Sequence, residues 1–116
     1  MTKKPEYFYK VMKIVKVVDG DTVDAEVDTG FYHKATIRFR LTGIDTPERG
    51  EPGYHAATSY MQYLLGCYKE LFVESEKTGS FGRWLGTFYG KSDRTGELHN
   101  LNQEMIDKDH AKPFRK

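Results

Sequence analysis

Thr22-Val23-Asp24-Ala25-Glu26-Val27-Asp28 alternates without a break: Val23, Ala25 and Val27 share one face, and Thr22, Asp24, Glu26 and Asp28 the other. Successive side chains of a strand point to opposite faces, so the spacing predicts a half-buried strand. Lys34 to Leu41 repeats the pattern, with Ala35, Ile37, Phe39 and Leu41 opposite Thr36, Arg38 and Arg40, and this strand should end near Gly43. Asp28-Thr29-Gly30 reads as the turn between the two. Upstream, Phe8 to Val18 is rich in β-branched and aromatic residues, but Lys10, Lys13 and Lys16 interrupt it with period three. Its reading as a strand therefore rests on composition and not on alternation. Asp19-Gly20 is a tight-turn signal.

Downstream, Pro47, Gly50 and Pro52 make Ile44 to Pro52 a loop. Positions 57, 60, 61, 64, 65 and 68 are bulky or apolar, which is one face of an amphipathic helix from Ala57 to Tyr68. Leu71 to Ser75 and Trp84 to Tyr89 read as strands around a loop at Glu76 to Gly82. Leu98 to about Lys108 reads as a weaker helix carried by Leu101, Met105 and Ile106. The order β-β-β-α-β-β-α is that of an α+β, mainly β chain: a five-stranded OB-fold barrel with two helices, a fold that often binds nucleic acid. The 116 residues fit one domain, 1–116, with its core from about residue 8 to about 108. Trp84 is expected to pack in the barrel.

Lys and Arg number 18 against 17 Asp and Glu, so a nucleic-acid partner would have to be drawn by a local patch and not by the net charge of +1. Cys67 is the only cysteine; no internal disulfide can form, and the residue is expected to be small buried packing in the helix. The N-terminus shows no apolar export signal and no run is long enough to span a bilayer, so the expected setting is intracellular, with no membrane contact and no obligate protein partner.

Three acids stand at strand ends or loop starts: Asp21, Asp45 and Glu48. Singly, each reads as a turn residue or a solvated carboxylate. Together, with a hairpin to draw their segments into one place, they suit a hard cation, calcium or magnesium. If the second strand begins at Asp21, that acid lies on the apolar face, which is costly unless it binds something. Pro47 keeps Thr46 out of the helical region, so the Thr46 carbonyl could serve as a further oxygen ligand, or Pro47 simply stiffens the loop. The four histidines lack the spacing of a zinc site. Arg40 and Arg83 suit the two-pronged grip of guanidinium on phosphate, although Glu26 or Asp24 across the hairpin offers Arg40 a surface ion pair instead. Glu48 is placed to take a proton from water. Phe81, in a Gly-rich loop, is a stacking surface for a nucleobase or a plug under the loop. Tyr60 and Tyr68 read as packing. Asp28-Thr29-Gly30 also matches the triplet around an aspartic-protease aspartate, but Phe31 and Tyr32 follow where that family places small residues.

Val18-Asp19-Gly20-Asp21-Thr22-Val23, Arg38-Phe39-Arg40-Leu41 with Ile44-Asp45-Thr46-Pro47-Glu48, and Phe81-Gly82-Arg83 occur in the order and similar spacing of the staphylococcal nuclease (thermonuclease) family, which the chain resembles from about Val11 to Ile106. The resemblance implies an OB-fold, calcium-dependent hydrolysis of DNA and RNA, and products with 5′-hydroxyl and 3′-phosphate ends. It implies Asp21, Asp45 and the Thr46 carbonyl as calcium ligands, Glu48 as general base, and Arg40 and Arg83 on the phosphate. Phe81 stands where the family often has a tyrosine, and Ala111-Lys112-Pro113-Phe114 resembles the start of the family's stretch after the second helix, where Phe114 could stand in for an aromatic that lines the nucleotide site. A binding module of the same fold, holding nucleic acid without cutting it, is the alternative.

Overall fold

A computed structural model describes residues 7–76 and 84–113. The strands are β1 (Phe8–Asp19), β2 (Thr22–Gly30), β3 (His33–Leu41), β4 (Ile44–Asp45), β5 (Glu70–Glu76), β6 (Trp84–Lys91), β7 (Leu98–Asn100) and β8 (Lys112–Pro113). The helices are α1 (Tyr54–Gly66) and α2 (Leu101–Asp107). Sheet order is β3-β2-β1-β5-β6-β7, and a parallel pairing of Phe39–Leu41 with Trp84–Gly86 closes the first five into a barrel. This is the expected five-stranded OB-type barrel with two helices. Among the described residues no helix is long and apolar enough to cross a membrane.

The period-three lysines of β1 have a structural cause. The β1–β2 register shifts between Val11 and Lys13, between Ile14 and Lys16, and between Val17 and Asp19. Each bulge puts one extra residue into β1, so positions that meet the same face recur every third residue instead of every second. Val11, Ile14 and Val17 thereby stay opposite Val27, Ala25 and Val23, while Lys13 and Lys16 stay opposite Glu26 and Asp24. The same bulges coil β1 so that its first residues, Phe8–Val11, pair with β5 instead.

On β2 and β3 the alternation holds. Val23, Ala25 and Val27 are buried with Phe39 and Leu41, and Phe39 meets Phe88 of β6 edge-on at 5.5 Å. The hairpin turn lies two residues later than expected. β2 runs to Gly30, and Phe31 and Tyr32 form the tip with φ of 56° and 65°. Asp28 closes a bulge there, its Oδ1 accepting the Gly30 N–H at 2.8 Å. That bond accounts for the Asp28-Thr29-Gly30 triplet without any protease chemistry.

Helix α1 begins at Tyr54, three residues before the apolar pattern, and buries Ala57, Met61, Leu64 and Leu65 as the spacing predicts. Two expectations fail at element ends. Cys67 follows the last turn of α1 and is exposed. Trp84 opens β6 and is 38% exposed, not packed inside the barrel. Helix α2 is shorter than expected because Leu98–Asn100 pair with Lys91–Tyr89 as β7. Asn100 then caps α2, its side chain accepting the Gln103 N–H.

Asn102 gives α2 its grip on the barrel. It is 3% exposed; its Oδ1 accepts the Phe88 N–H, and its amide donates to the carbonyls of Thr42 and Gly86. These contacts bridge the closing edge of β3 and β6. Asn102→Ala removes the partner of the buried Phe88 N–H and of the Thr42 carbonyl, while the Gly86 carbonyl keeps the Thr42 N–H, so we expect a loss of about 1–3 kcal/mol in unfolding free energy by denaturant titration.

Candidate active site

Barrel geometry brings the separated motifs together. β2 and β3 pair in the register Thr22 to Arg40, and the Leu41 N–H donates to the Asp21 carbonyl at 2.8 Å, so Asp21 and Arg40 are neighbours at one end of the hairpin. β4 then folds back, placing Asp45 and Thr46 beside them. Gly20 allows this close approach: a Cβ there would lie 3.0 Å from the Ala57 Cβ and 3.1 Å from the Thr46 Cγ2. The turn thus seats Asp21 directly against the β4 loop and α1.

Asp21 is 9% exposed and well bonded. Its Oδ2 accepts the Thr46 N–H at 3.1 Å, and its Oδ1 accepts the Thr22 hydroxyl at 3.2 Å. Arg40 reaches across with both ends of its fork. Nη1 donates to the carbonyls of Ile44, at 2.8 Å, and Leu41, at 3.0 Å. Nη2 stands 3.4 Å from Asp45 Oδ1 and 3.6 Å from Asp21 Oδ2. The alternative surface pairing is taken by other residues. Arg38 binds Asp24 through two bonds, at 2.7 and 2.9 Å, and Lys34 faces Glu26 at 3.9 Å. The Arg38 guanidinium holds the Asp24 carboxyl below its ordinary range, with Lys16 adding to the effect. Arg40 is thereby directed to the motif acids.

Glu48 is exposed at the rim, and its main chain is fixed on both sides. Its N–H donates to Glu51 Oε1 at 2.7 Å, and its carbonyl accepts the Glu51 N–H at 2.9 Å. Asp21, Arg40, Asp45, Thr46 and Glu48 line one cleft of about 390 Å³. Phe81 and Arg83, and Phe114 farther on, lie outside the described residues.

Two charged residues of this cleft were not singled out from sequence, Asp19 and Arg49. Tyr54 organises both: its hydroxyl donates to Asp19 Oδ1 at 2.7 Å, and the Arg49 guanidinium sits 5.8 Å above its ring. Asp19 was read only as a turn residue, and its place inside the Asp-Gly-Asp motif was the available clue. Among the described residues the cleft carries four carboxylates, Asp19, Asp21, Asp45 and Glu48, against two guanidiniums, Arg40 and Arg49. Such a surface repels phosphate unless a cation is added. The donors are oxygens, which suit a hard ion. Thr46 supports the fit, for its Oγ1 is buried with no hydrogen-bond partner among the described residues. Among those residues no three His, Cys, Asp or Glu side chains are arranged to hold a metal, so any ion would need oxygens beyond the Asp21 and Asp45 carboxylates.

Comparison with known proteins agrees with the motifs. The chain is 31% identical over 106 residues to a protein named micrococcal nuclease from Shigella flexneri, covering 89% of this chain and 58% of the relative. It is 31% identical over 108 residues to protein ParB of Escherichia coli, covering 89% and 56%. An uncharacterized endonuclease of Escherichia coli O157:H7 is 30% identical over 94 residues, covering 81% and 54%. The chain therefore spans a little over half the length of these curated relatives. No protein-family model matches it. With the first two motifs on one cleft, the five-stranded barrel behind them and nuclease-named relatives across most of its length, the chain belongs to the staphylococcal-nuclease-like family.

Proposed function

We propose that this chain is a calcium-dependent nuclease domain that hydrolyses phosphodiester bonds of DNA or RNA and leaves 5′-hydroxyl and 3′-phosphate ends. The observation that carries the reading is the convergence of Asp21, Arg40, Asp45, Thr46 and Glu48 on one cleft. Asp21, Asp45 and the Thr46 carbonyl would hold calcium. A bound calcium ion would offset the charge of the scissile phosphate and make a neighbouring water easier to deprotonate. Glu48 takes the proton of the attacking water, and its backbone is held at the rim by two bonds to Glu51. Arg40 keeps Nη1 on two backbone carbonyls and presents Nη2 toward the cleft, where it donates to a phosphate oxygen as charge builds there. Arg83 and Phe81, outside the described residues, take by motif the roles of a second phosphate-binding guanidinium and a stacking surface for a base.

Asp21 separates this reading from a binding module that needs no metal. Asp21→Ala should weaken calcium binding, measured by calorimetry, and lower cleavage in parallel, with partial recovery of rate at high calcium. Unchanged calcium dependence of cleavage would remove Asp21 from the metal site.

A further inference from the structure

The β2–β3 hairpin ends in a turn that the fold alone does not explain. A two-residue hairpin loop with positive φ at both positions favours Asn-Gly, because a Cβ in the left-handed region crowds the neighbouring carbonyl. Gly30 pairs with His33 across this loop, and its two positions hold Phe31 and Tyr32, at φ of 56° and 65°. Both aromatics therefore stand where a side chain is costly, and packing does not offset the cost. Phe31 is 94% exposed and Tyr32 fully exposed; among the described residues neither ring meets another ring or makes a hydrogen bond. The backbone that carries them is nonetheless fixed on both sides. Asp28 Oδ1 accepts the Gly30 N–H at 2.8 Å, and the Thr29 hydroxyl donates to the His33 carbonyl at 3.0 Å. The hairpin thus holds two rings out in water.

The strands behind the tip present a charged outer face. Lys34, Thr36, Arg38 and Arg40 alternate with the inward residues of β3, so one face runs from the tip to the candidate active site. From Tyr32 to Arg40 that is about 25 Å at the rise of an extended strand. On β2, Glu26 lies between its β1 partner Lys13 and Lys34, and Asp24 lies between its β1 partner Lys16 and Arg38. The acids Asp24, Glu26 and Asp28 are half-buried, whereas Lys13, Lys16, Lys34 and Arg38 are exposed. A chain passing over this face meets the cations first. Arg38 gives Nε and Nη2 to Asp24, and its Nη1 makes no bond among the described residues.

Cations along a path and aromatic rings at its end are the two parts of a surface for single-stranded nucleic acid. The cations meet phosphates, and a ring stacks on a base of any sequence. An anionic lipid surface would be drawn by the same charges. Continuity favours nucleic acid, because the row on β3 ends at Arg40 in the candidate catalytic cleft.

We propose that the outer face of the β2–β3 hairpin is a remote binding surface for single-stranded nucleic acid. Phe31 and Tyr32 stack on bases far from the cut, and Lys13, Lys16, Lys34 and Arg38 follow the phosphates between. The link to a cut rests on the nuclease reading; the affinity of the hairpin for a strand does not.

Phe31→Asn combined with Tyr32→Gly supplies the residues this turn favours and removes both rings. That hairpin variant should unfold at a higher temperature than wild type, which separates a loss of binding from a loss of fold. The probe is a labelled single strand of about 12 nucleotides, long enough to span the face at 3.4 Å per nucleotide. Its affinity, read by anisotropy in chelator, should fall about tenfold in the hairpin variant, the scale of one lost base stack. Lys13→Gln with Lys16→Gln should lower the slope of log affinity against log salt by about 0.7 per lysine. In calcium, the hairpin variant should raise KM for the same strand and leave kcat unchanged. Equal affinity of wild type and hairpin variant overturns the surface, whether or not the chain cuts. An unchanged salt slope overturns the phosphate path. Weaker binding by the variant, with no cleavage by either protein, keeps the surface and sinks the nuclease reading. Vesicles of phosphatidylserine and phosphatidylcholine that bind wild type but not the hairpin variant, at equal strand affinity, overturn the proposal in favour of a membrane surface.

Discussion

Glu48→Gln is expected to fold, bind calcium and a short oligonucleotide, and lose most of its turnover. Glutamine keeps the shape of glutamate but not its basicity, and help from a general base is worth about 10²–10⁴-fold in rate. The substitution leaves the Glu48 backbone bonds to Glu51 untouched, so the loss should fall on kcat and not on stability. Removing a negative charge from a cleft with an excess of carboxylates should even tighten substrate binding slightly. Single-turnover cleavage beside a binding isotherm makes the check. Cleavage at the wild-type rate would leave the enzyme class intact but take the proton-accepting role from Glu48.

Arg40→Lys should be nearly as damaging, for a reason visible in the structure. Arginine holds two backbone carbonyls with Nη1 while Nη2 stands between Asp21 and Asp45. Lysine has one nitrogen on a flexible stem and cannot anchor and donate in two directions at once. A drop of about 10²–10³ in kcat is the scale for one lost donor to a developing charge. Thermal unfolding run alongside separates the lost anchoring from the lost chemistry. Near-normal kcat would reduce Arg40 to a residue that shapes the β3–β4 corner.

Much of the fold was legible because burial and backbone period coincide in β2, β3 and α1. Val23, Ala25 and Val27 alternate, and Ala57, Met61 and Leu64 follow a helical spacing, with no neighbour required to explain either. The three-residue period of β1 was visible but unexplained. Its bulges accompany a single strand coiling to serve both β2 and β5, and neither partner can be read from β1 alone. Cys67, Trp84 and Leu98 were misread for a common reason. Each lies at the end of an element, where exposure depends on where the element stops and not on the residue's own preference. Asn102 was invisible, since a polar residue early in a helix looks like surface until the barrel edge it bonds is in place.

The site divides along the same line. Asp21, Arg40, Asp45, Thr46 and Glu48 stand out in the sequence because strand ends and an X-Pro step mark them, and the hairpin register brings them to one cleft. Asp19 and Arg49 needed Tyr54, which is distant from Asp19 in sequence, to reveal their positions. The stack of His110 on Tyr60 joins the turn after α2 to α1, a pairing across 50 residues that no local pattern encodes.

The most direct test of the central claim is digestion of single- and double-stranded DNA and RNA by the purified chain, in calcium and in chelator, with the product ends analysed. The account predicts cleavage that rises with calcium, stops with chelator and leaves 3′-phosphate ends on the fragments. Binding of nucleic acid without cleavage in calcium or any other divalent metal would contradict it and identify the chain as a binding module of the same fold.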